Sequence, residues 1–105
     1  MPKRALNDVR LEVGEMRRVE VEGLALLVAR SVEGYHAVED LCSHVDQRLS
    51  NGRMRGSTVY CPLHGARFDL RDGRCLAPPA TRPIRSFVIE EASGELFVEL
   101  GDASS

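Results

Sequence analysis

The sequence has no stretch long and apolar enough to cross a membrane. Its longest uninterrupted apolar run covers only residues 24–29, whereas a membrane-spanning helix needs about twenty residues. The first residues also lack the apolar stretch of a signal peptide and any export motif. We therefore expect a cytoplasmic protein without a membrane anchor, in a compartment that keeps thiols reduced.

Cysteine is scarce, and no one sign of charge predominates. The three cysteines, Cys42, Cys61 and Cys75, are an odd number, which together with a reducing compartment argues against a disulfide framework. Fourteen basic and sixteen acidic residues give a net charge of −2, so there is no bulk attraction to nucleic acid or to an anionic membrane. None of the nine glycines belongs to a G-x-G-x-x-G motif, and a nicotinamide or flavin site is therefore not indicated.

The chain instead carries the pattern of a small all-β protein. Its 105 residues fit a single domain that covers positions 1–105. Short apolar stretches alternate with turn residues, and no segment of ten or more residues has a convincing helical period. Residues 24–29 are apolar on both faces, which predicts a central strand. Tight hairpin turns are predicted at Glu22-Gly23, Val32-Glu33-Gly34, Asp72-Gly73 and Ser93-Gly94.

Two stretches interrupt this strand pattern. Residues between positions 44 and 60 are polar and rich in turn formers, and residues 76–83 contain three prolines, which exclude a central strand. We expect both stretches to be loops. Small β domains carry their chemistry on such loops, so a functional site should lie there.

The first of these stretches is flanked by two pairs of metal-binding side chains. Cys42 and His44 form one pair, and Cys61 and His64 form the other. One thiolate and one imidazole in each of two tight loops indicate a four-ligand metal site. Structural zinc sites of the finger type usually place both cysteines before both histidines, whereas here the two types alternate. A zinc-binding interaction module therefore remains only as an alternative.

The spacing C-x-H followed by C-P-L-H-G resembles the signature of the Rieske iron-sulfur family. Leu49-Ser50-x-Gly52 and Arg67-Phe68-Asp69 extend the resemblance on either side of the second loop. The family binds a [2Fe-2S] cluster in which two histidines replace two cysteines on one iron. The resemblance implies an all-β Rieske-type fold of small antiparallel sheets, with a cluster-binding portion at about residues 41–81. Two ligand loops and a proline-bearing loop, here residues 77–80, form that portion.

The resemblance also assigns the ligands. It implies that Cys42 and Cys61 hold the inner iron through thiolates, and that His44 and His64 hold the outer iron near the protein surface. No catalytic residue is expected. The terminal oxygenases that contain a Rieske domain need a second iron bound by two further histidines and a carboxylate, and only His36 remains here.

Departures from the high-potential branch of the family predict a low reduction potential. Rieske proteins of respiratory complexes carry an additional disulfide, and a serine and a tyrosine that hydrogen-bond to sulfur atoms at the cluster. The matching positions here are Gln47, Leu63, Ala66 and Phe68. Because such hydrogen bonds stabilise the reduced cluster, their absence predicts a potential of about −150 mV.

The sequence resembles the Rieske-type ferredoxins of bacterial aromatic-ring-hydroxylating dioxygenase systems. That resemblance implies a monomeric one-electron carrier between an NADH-dependent flavoprotein ferredoxin reductase and a terminal oxygenase in aromatic hydrocarbon catabolism. A small Rieske-like subunit of a nitrite or other reductase is the alternative within the same fold.

The remaining candidate residues receive simpler interpretations. We expect His36 to be structural or superficial and Cys75 to be a small apolar filler, and Tyr60 and Phe68 to pack beneath the second ligand loop. Three charged residues beside the ligands either bias the choice of partner or are solvated loop charges: Asp46, Arg48 and Arg67.

Overall fold

The computed structural model describes residues 3–6, 9–42, 47–62, 66–77 and 82–100. Within these ranges the chain forms short strands and one turn of 3-10 helix at Leu49–Asn51. The strands are β1 (Lys3–Leu6), β2 (Met16–Val21), β3 (Leu24–Ser31), β4 (Gly34–Glu39), β5 (Arg53–Arg55), β6 (Thr58–Tyr60), β7 (Arg67–Asp69), β8 (Cys75–Ala77), β9 (Ser86–Phe87), β10 (Ile89–Ala92) and β11 (Glu95–Glu99). No helix long and apolar enough to span a membrane occurs in this part of the chain.

The strands form three antiparallel sheets. The first has the order β1-β11-β10, the second β2-β3-β4-β9 and the third β5-β6-β7-β8. The predicted all-β fold class is therefore confirmed. Strand β3 lies between β2 and β4, as its apolar character on both faces predicts, and Leu26, Leu27 and Val28 are fully buried in it.

The predicted hairpin turns are also present. Glu22 and Gly23 have φ values of 50° and 80°, and Ser93 and Gly94 have values of 54° and 81°. Positive φ at both central residues is what a two-residue hairpin with right-handed strand twist requires.

Several short strands were not predicted from the sequence. Strand β5 lies in the stretch expected to be a loop, and β8 overlaps the start of the proline-rich stretch. Strand β5 consists of Arg-Met-Arg, a sequence with no strand pattern of its own. It is extended because it pairs with β6, where Met54 lies opposite Val59. Strand β1 was also missed. Strand β1 pairs with β11, which is distant in sequence, whereas β5 and β8 pair with the neighbouring strands β6 and β7. Local propensity encodes none of these pairings.

Two clusters of buried side chains form the core. One cluster contains Leu6, Leu26, Leu96 and Val98 and packs the first two sheets together. The other contains Leu49, Val59 and Phe68 of the third sheet and its 3-10 turn, together with Cys42 and Cys61. The third sheet and the two predicted cysteine ligands therefore share one packed interior.

Candidate metal centre

Cys42 begins the first ligand loop three residues after β4. Its side chain is buried, with 3% of the residue exposed. Its backbone N–H donates to the carbonyl oxygen of Gln47 over 2.9 Å. This hydrogen bond closes a six-residue loop that includes position 44 in sequence.

Cys61 begins the second ligand loop immediately after β6, and its anchoring repeats the arrangement at Cys42. The residue is again 3% exposed. Its backbone N–H donates to the carbonyl oxygen of Ala66 over 2.8 Å, five residues ahead as in the first loop. The predicted ligands His44 and His64, and also Asp46, Leu63, Pro78 and Pro79, lie outside the described residues.

The donor chemistry of the described residues fits an iron-sulfur cluster. Within the described part of the chain, neither Cys42 nor Cys61 is in a disulfide, and cysteine thiolates are the ligands that hold iron-sulfur clusters. Both belong to the same buried cluster of side chains, which holds the sulfurs away from bulk water. The described residues alone contain no group of three metal-binding side chains, consistent with two of the four predicted ligands lying outside them.

Asp40 fastens the base of the first ligand loop. Its carboxylate accepts hydrogen bonds from the backbone N–H and the hydroxyl of Ser50, at 2.7 and 2.6 Å. Arg18 of β2 donates to the same carboxylate over 2.8 Å, which compensates the buried charge. Asp40 precedes Cys42 by two residues and Ser50 follows Gln47 by three, so this contact lies just outside the closed loop.

Gly52 joins the two ligand loops by close backbone packing. A Cβ atom at this position would lie 1.9 Å from the carbonyl oxygen of Tyr60 and 3.1 Å from Cδ of Pro62. Only glycine permits that approach. The end of the first loop region therefore rests directly on the start of the second.

The turn between β7 and β8 holds the chain that follows the proline-rich stretch. Gly73, with φ of 80°, accepts a hydrogen bond from the N–H of Ile84 over 2.9 Å. Asp69 is buried and accepts from the backbone and guanidinium of Arg71, and this hydrogen bonding lowers the pKa of the Asp69 carboxyl below its usual value. The turn thus fixes where the proline-rich stretch rejoins the fold.

The remaining sequence predictions have mixed outcomes. His36 is structural, as expected, since its Nε2 lies 2.7 Å from the Ser31 hydroxyl. Cys75 packs partly buried against the core cluster that contains Cys42 and Cys61, in agreement with its predicted role as a filler. Phe68 is fully buried, but the prediction for Tyr60 is wrong. Tyr60 pairs with Arg67 one position away from the Val59–Phe68 pair, so its side chain lies on the opposite face of the sheet.

Sequence reasoning missed Asp40 and Ser50 as supports of the site. The one available signal was position: Asp40 lies two residues before the first ligand, and Ser50 belongs to the Leu-Ser-x-Gly motif. Their pairing depends on how the 3-10 turn folds back onto the end of β4, which the sequence pattern does not show.

Comparison with known proteins decides the family. The sequence pattern of the Rieske [2Fe-2S] domain matches residues 3–88. The chain belongs to the Rieske [2Fe-2S] family. Its cofactor is therefore a Rieske-type [2Fe-2S] cluster, as the ligand spacing predicted.

Within this family, the chain is similar to ferredoxins. It is 38% identical over 90 residues to the ferredoxin component of biphenyl 2,3-dioxygenase from Rhodococcus jostii strain RHA1, with 86% of this chain and 84% of the relative covered. The ferredoxin of carbazole 1,9a-dioxygenase from Nocardioides aromaticivorans IC177 superposes with a TM-score of 0.80 at 32% identity, over 84% of this chain and 86% of that one.

A further similar structure contains a ferredoxin with its redox partner. It is a complex of reduced oxygenase and oxidized ferredoxin in carbazole 1,9a-dioxygenase, matched with a TM-score of 0.79 at 35% identity over 84% of this chain and 82% of that chain. These relatives are electron-transfer components and not catalytic subunits. The predicted role of this Rieske protein as an electron carrier is thereby confirmed.

Proposed function

We propose that this Rieske protein accepts single electrons from an NADH-dependent flavoprotein reductase and delivers them to a terminal aromatic-ring-hydroxylating dioxygenase. The observation that carries the proposal is the pair of buried cysteines, Cys42 and Cys61, each closing its own loop in the same way within one core. Support for the pathway comes from similarity, over more than four fifths of the chain, to ferredoxin components of biphenyl and carbazole dioxygenases.

The proposal assigns a role to each ligand. Cys42 and Cys61 bind iron through buried thiolates, and His44 and His64 bind it through imidazole nitrogens. When bound, the cluster supplies a site that takes up and releases one electron. The protein contributes the fixed positions of the two sulfurs and excludes water from them. These ligands lie in a cluster-binding portion at residues 41–81 of a single domain at residues 1–105.

A carrier of this kind must dissociate from its partners as readily as it binds them. We therefore propose that the protein works as a monomer in the cytoplasm and contacts each partner over less than about 1,200 Å² in total. The net charge of −2 is consistent with a freely diffusing protein.

Reconstituted turnover tests the proposed function. The purified, cluster-loaded protein is combined with NADH, a candidate flavoprotein reductase and a candidate terminal dioxygenase, and hydroxylated aromatic product is measured. We expect product formation to require this protein and to stop with the Cys61→Ser variant. Turnover that proceeds equally without the protein, or electron delivery only to a nitrite reductase, would contradict the proposal.

A further inference from the structure

The outer face of the third sheet carries an aromatic residue between two arginines. Tyr60 of β6 lies directly opposite Arg53 of β5 on one side and Arg67 of β7 on the other. The guanidinium carbon of Arg67 is 5.9 Å from the centroid of the Tyr60 ring. Arg55 lies two residues beyond Arg53 on the same face, because side chains alternate along a strand. We call Arg53, Arg55, Tyr60 and Arg67 the arginine face.

The positive charges of the arginine face have no counter-charge in the described structure. All three arginines are exposed. The ion pairs among the described residues involve Lys3, Arg4, Arg18, Arg71 and Arg74, and none of them includes Arg53, Arg55 or Arg67. Like charges on neighbouring strands repel one another, so this grouping does not stabilise the sheet.

The arginine face borders the second ligand loop. A surface hollow is lined by Gly52, Arg53, Tyr60, Cys61 and Pro62, and a second hollow is lined by Arg53, Arg55 and Tyr60. A molecule bound over the arginine face therefore contacts the chain beside Cys61. A redox partner must come close to this predicted cluster ligand to exchange an electron.

The charge of the chain is distributed unevenly about this face. Positions 47–68 contain four arginines and no acidic residue, which leaves ten basic and sixteen acidic residues in the rest of the chain. Asp46, the nearest acidic residue on the N-terminal side, lies outside the described residues. Asp69 follows this stretch on β7, but it is buried and paired with Arg71 and Arg74, so it does not neutralise the arginine face. The stretch is therefore basic, and the rest of the chain carries a net negative charge.

We propose that the arginine face docks an acidic surface of a redox partner protein and turns the second ligand loop toward it. This inference rests on the proposed electron-carrier function. A partner with an acidic surface is attracted by the arginine face and repelled by the acidic remainder of the molecule, so the charge distribution orients the encounter as well as accelerating it. The acidic remainder also disfavours a long polyanion such as DNA, which would extend beyond the face.

Single charge reversals provide matched variants for the test. Arg53→Glu and Arg55→Glu each place a negative charge on the arginine face. Arg10→Glu makes the same change at an exposed arginine in the loop before β2, beside Val9 and Leu11 of the other core cluster. Visible absorption of the cluster confirms loading in each protein before it is compared.

The first measurement follows oxidation of the reduced, loaded protein by ferricyanide, which carries three negative charges, in a stopped-flow instrument. One electron leaves the protein and reduces Fe(III) to Fe(II) in the oxidant. At 10 mM ionic strength we expect Arg53→Glu and Arg55→Glu each to slow this reaction about fivefold relative to wild type. At 500 mM, where salt screens the charges, the rates of the variants and of wild type should be equal. Hexaammineruthenium(III), a trivalent cation, should show the opposite change. Equal effects of Arg10→Glu and Arg53→Glu would overturn the proposal.

The second measurement distinguishes the class of partner. Fluorescence anisotropy follows binding of a labelled decaglutamate peptide and of a labelled ten-base-pair DNA duplex at 10 mM ionic strength. We expect the peptide to bind wild type and Arg10→Glu but to bind Arg53→Glu at least fivefold more weakly. Absence of peptide binding, or tighter binding of the DNA, would overturn the proposal. Neither measurement uses the dioxygenase, so loss of turnover with an intact arginine face would contradict the proposed function alone.

Discussion

Asp40 and Ser50 are joined by two hydrogen bonds: the backbone N–H of Ser50 donates to Oδ1 of the buried Asp40 carboxylate, and the Ser50 hydroxyl donates to Oδ2. This contact ties the residue that follows β4 to the 3-10 turn that follows the first ligand loop. Since Arg18 donates to the same carboxylate, the three residues fix the base of the loop on which Cys42 lies.

Removal of the Asp40 carboxylate should loosen both the fold and the site. Asp40→Ala leaves the Ser50 N–H and the Arg18 guanidinium without this acceptor, and we expect a loss of about 3 kcal/mol in the free energy of unfolding. Urea denaturation measures it, and visible absorption measures retention of the cluster. Glu95→Ala, at an exposed position of β11, should change stability by less than about 0.5 kcal/mol. Equal stability of the two variants would contradict this role of Asp40.

The contact between Gly52 and Tyr60 makes a second prediction. Gly52→Ala places a methyl group 1.9 Å from the Tyr60 carbonyl oxygen, so the two ligand loops must separate. We expect a loss of about 3 kcal/mol in unfolding free energy and weaker retention of the cluster.

Gly56→Ala is the control for that change. Gly56 has φ of 59° and nothing within 4 Å of an added Cβ atom, so its replacement adds only backbone strain, about 1 kcal/mol. Gly52→Ala should therefore have a lower free energy of unfolding and a lower iron content than Gly56→Ala. Full cluster retention by Gly52→Ala would show that the close approach is not needed.

His36 should make the fold less stable in mild acid. Burial lowers its pKa below the usual 6.5, while the charges of Glu33 and Asp69 raise it and that of Arg71 lowers it. Because the unfolded chain then binds the proton more readily than the folded chain, stability is complete above about pH 6.5 and falls as pH decreases toward the lowered pKa.

Replacement of His36 by glutamine tests this contribution. Unfolding free energies of wild type and His36→Gln are compared at pH 7.5 and pH 5.5. We expect a smaller loss between these two pH values in the variant, because the titrating imidazole is gone. An identical loss in both proteins would assign the acid sensitivity to other groups.

Hydroxyl groups near the second ligand loop should raise the reduction potential. Ala66 and Phe68 are both fully buried in the core cluster that contains Cys61, and neither side chain can donate a hydrogen bond to sulfur. We expect a wild-type potential of about −150 mV and a higher value in Ala66→Ser and in Phe68→Tyr, since a donated hydrogen bond stabilises the more negative reduced state.

Potentiometric titration measures these values. Phe97→Tyr adds the same hydroxyl to a half-buried position of β11 in the first sheet, and its potential should equal that of wild type. A wild-type potential above about +100 mV, or no increase in either variant near the loop, would refute the explanation.

The sequence was sufficient to predict features that depend only on residues close together in the chain. The spacing of Cys42, His44, Cys61 and His64 identified the family, and Glu22-Gly23 and Ser93-Gly94 marked two hairpins because their backbone conformations are local. The pairing of β1 with β11 and the Asp40–Ser50 contact could not be predicted, because each joins chain segments that meet only after folding. Tyr60 was misplaced for a similar reason: its face of the sheet is set by the register between β6 and β7.

The presence of the cluster is tested by metal analysis of the purified protein, combined with EPR after reduction. We expect two iron and two labile sulfide per chain, a red-brown colour, and a paramagnetic signal that appears only in the reduced state. A colourless protein that contains zinc, without iron or labile sulfide and without an EPR signal, would contradict it.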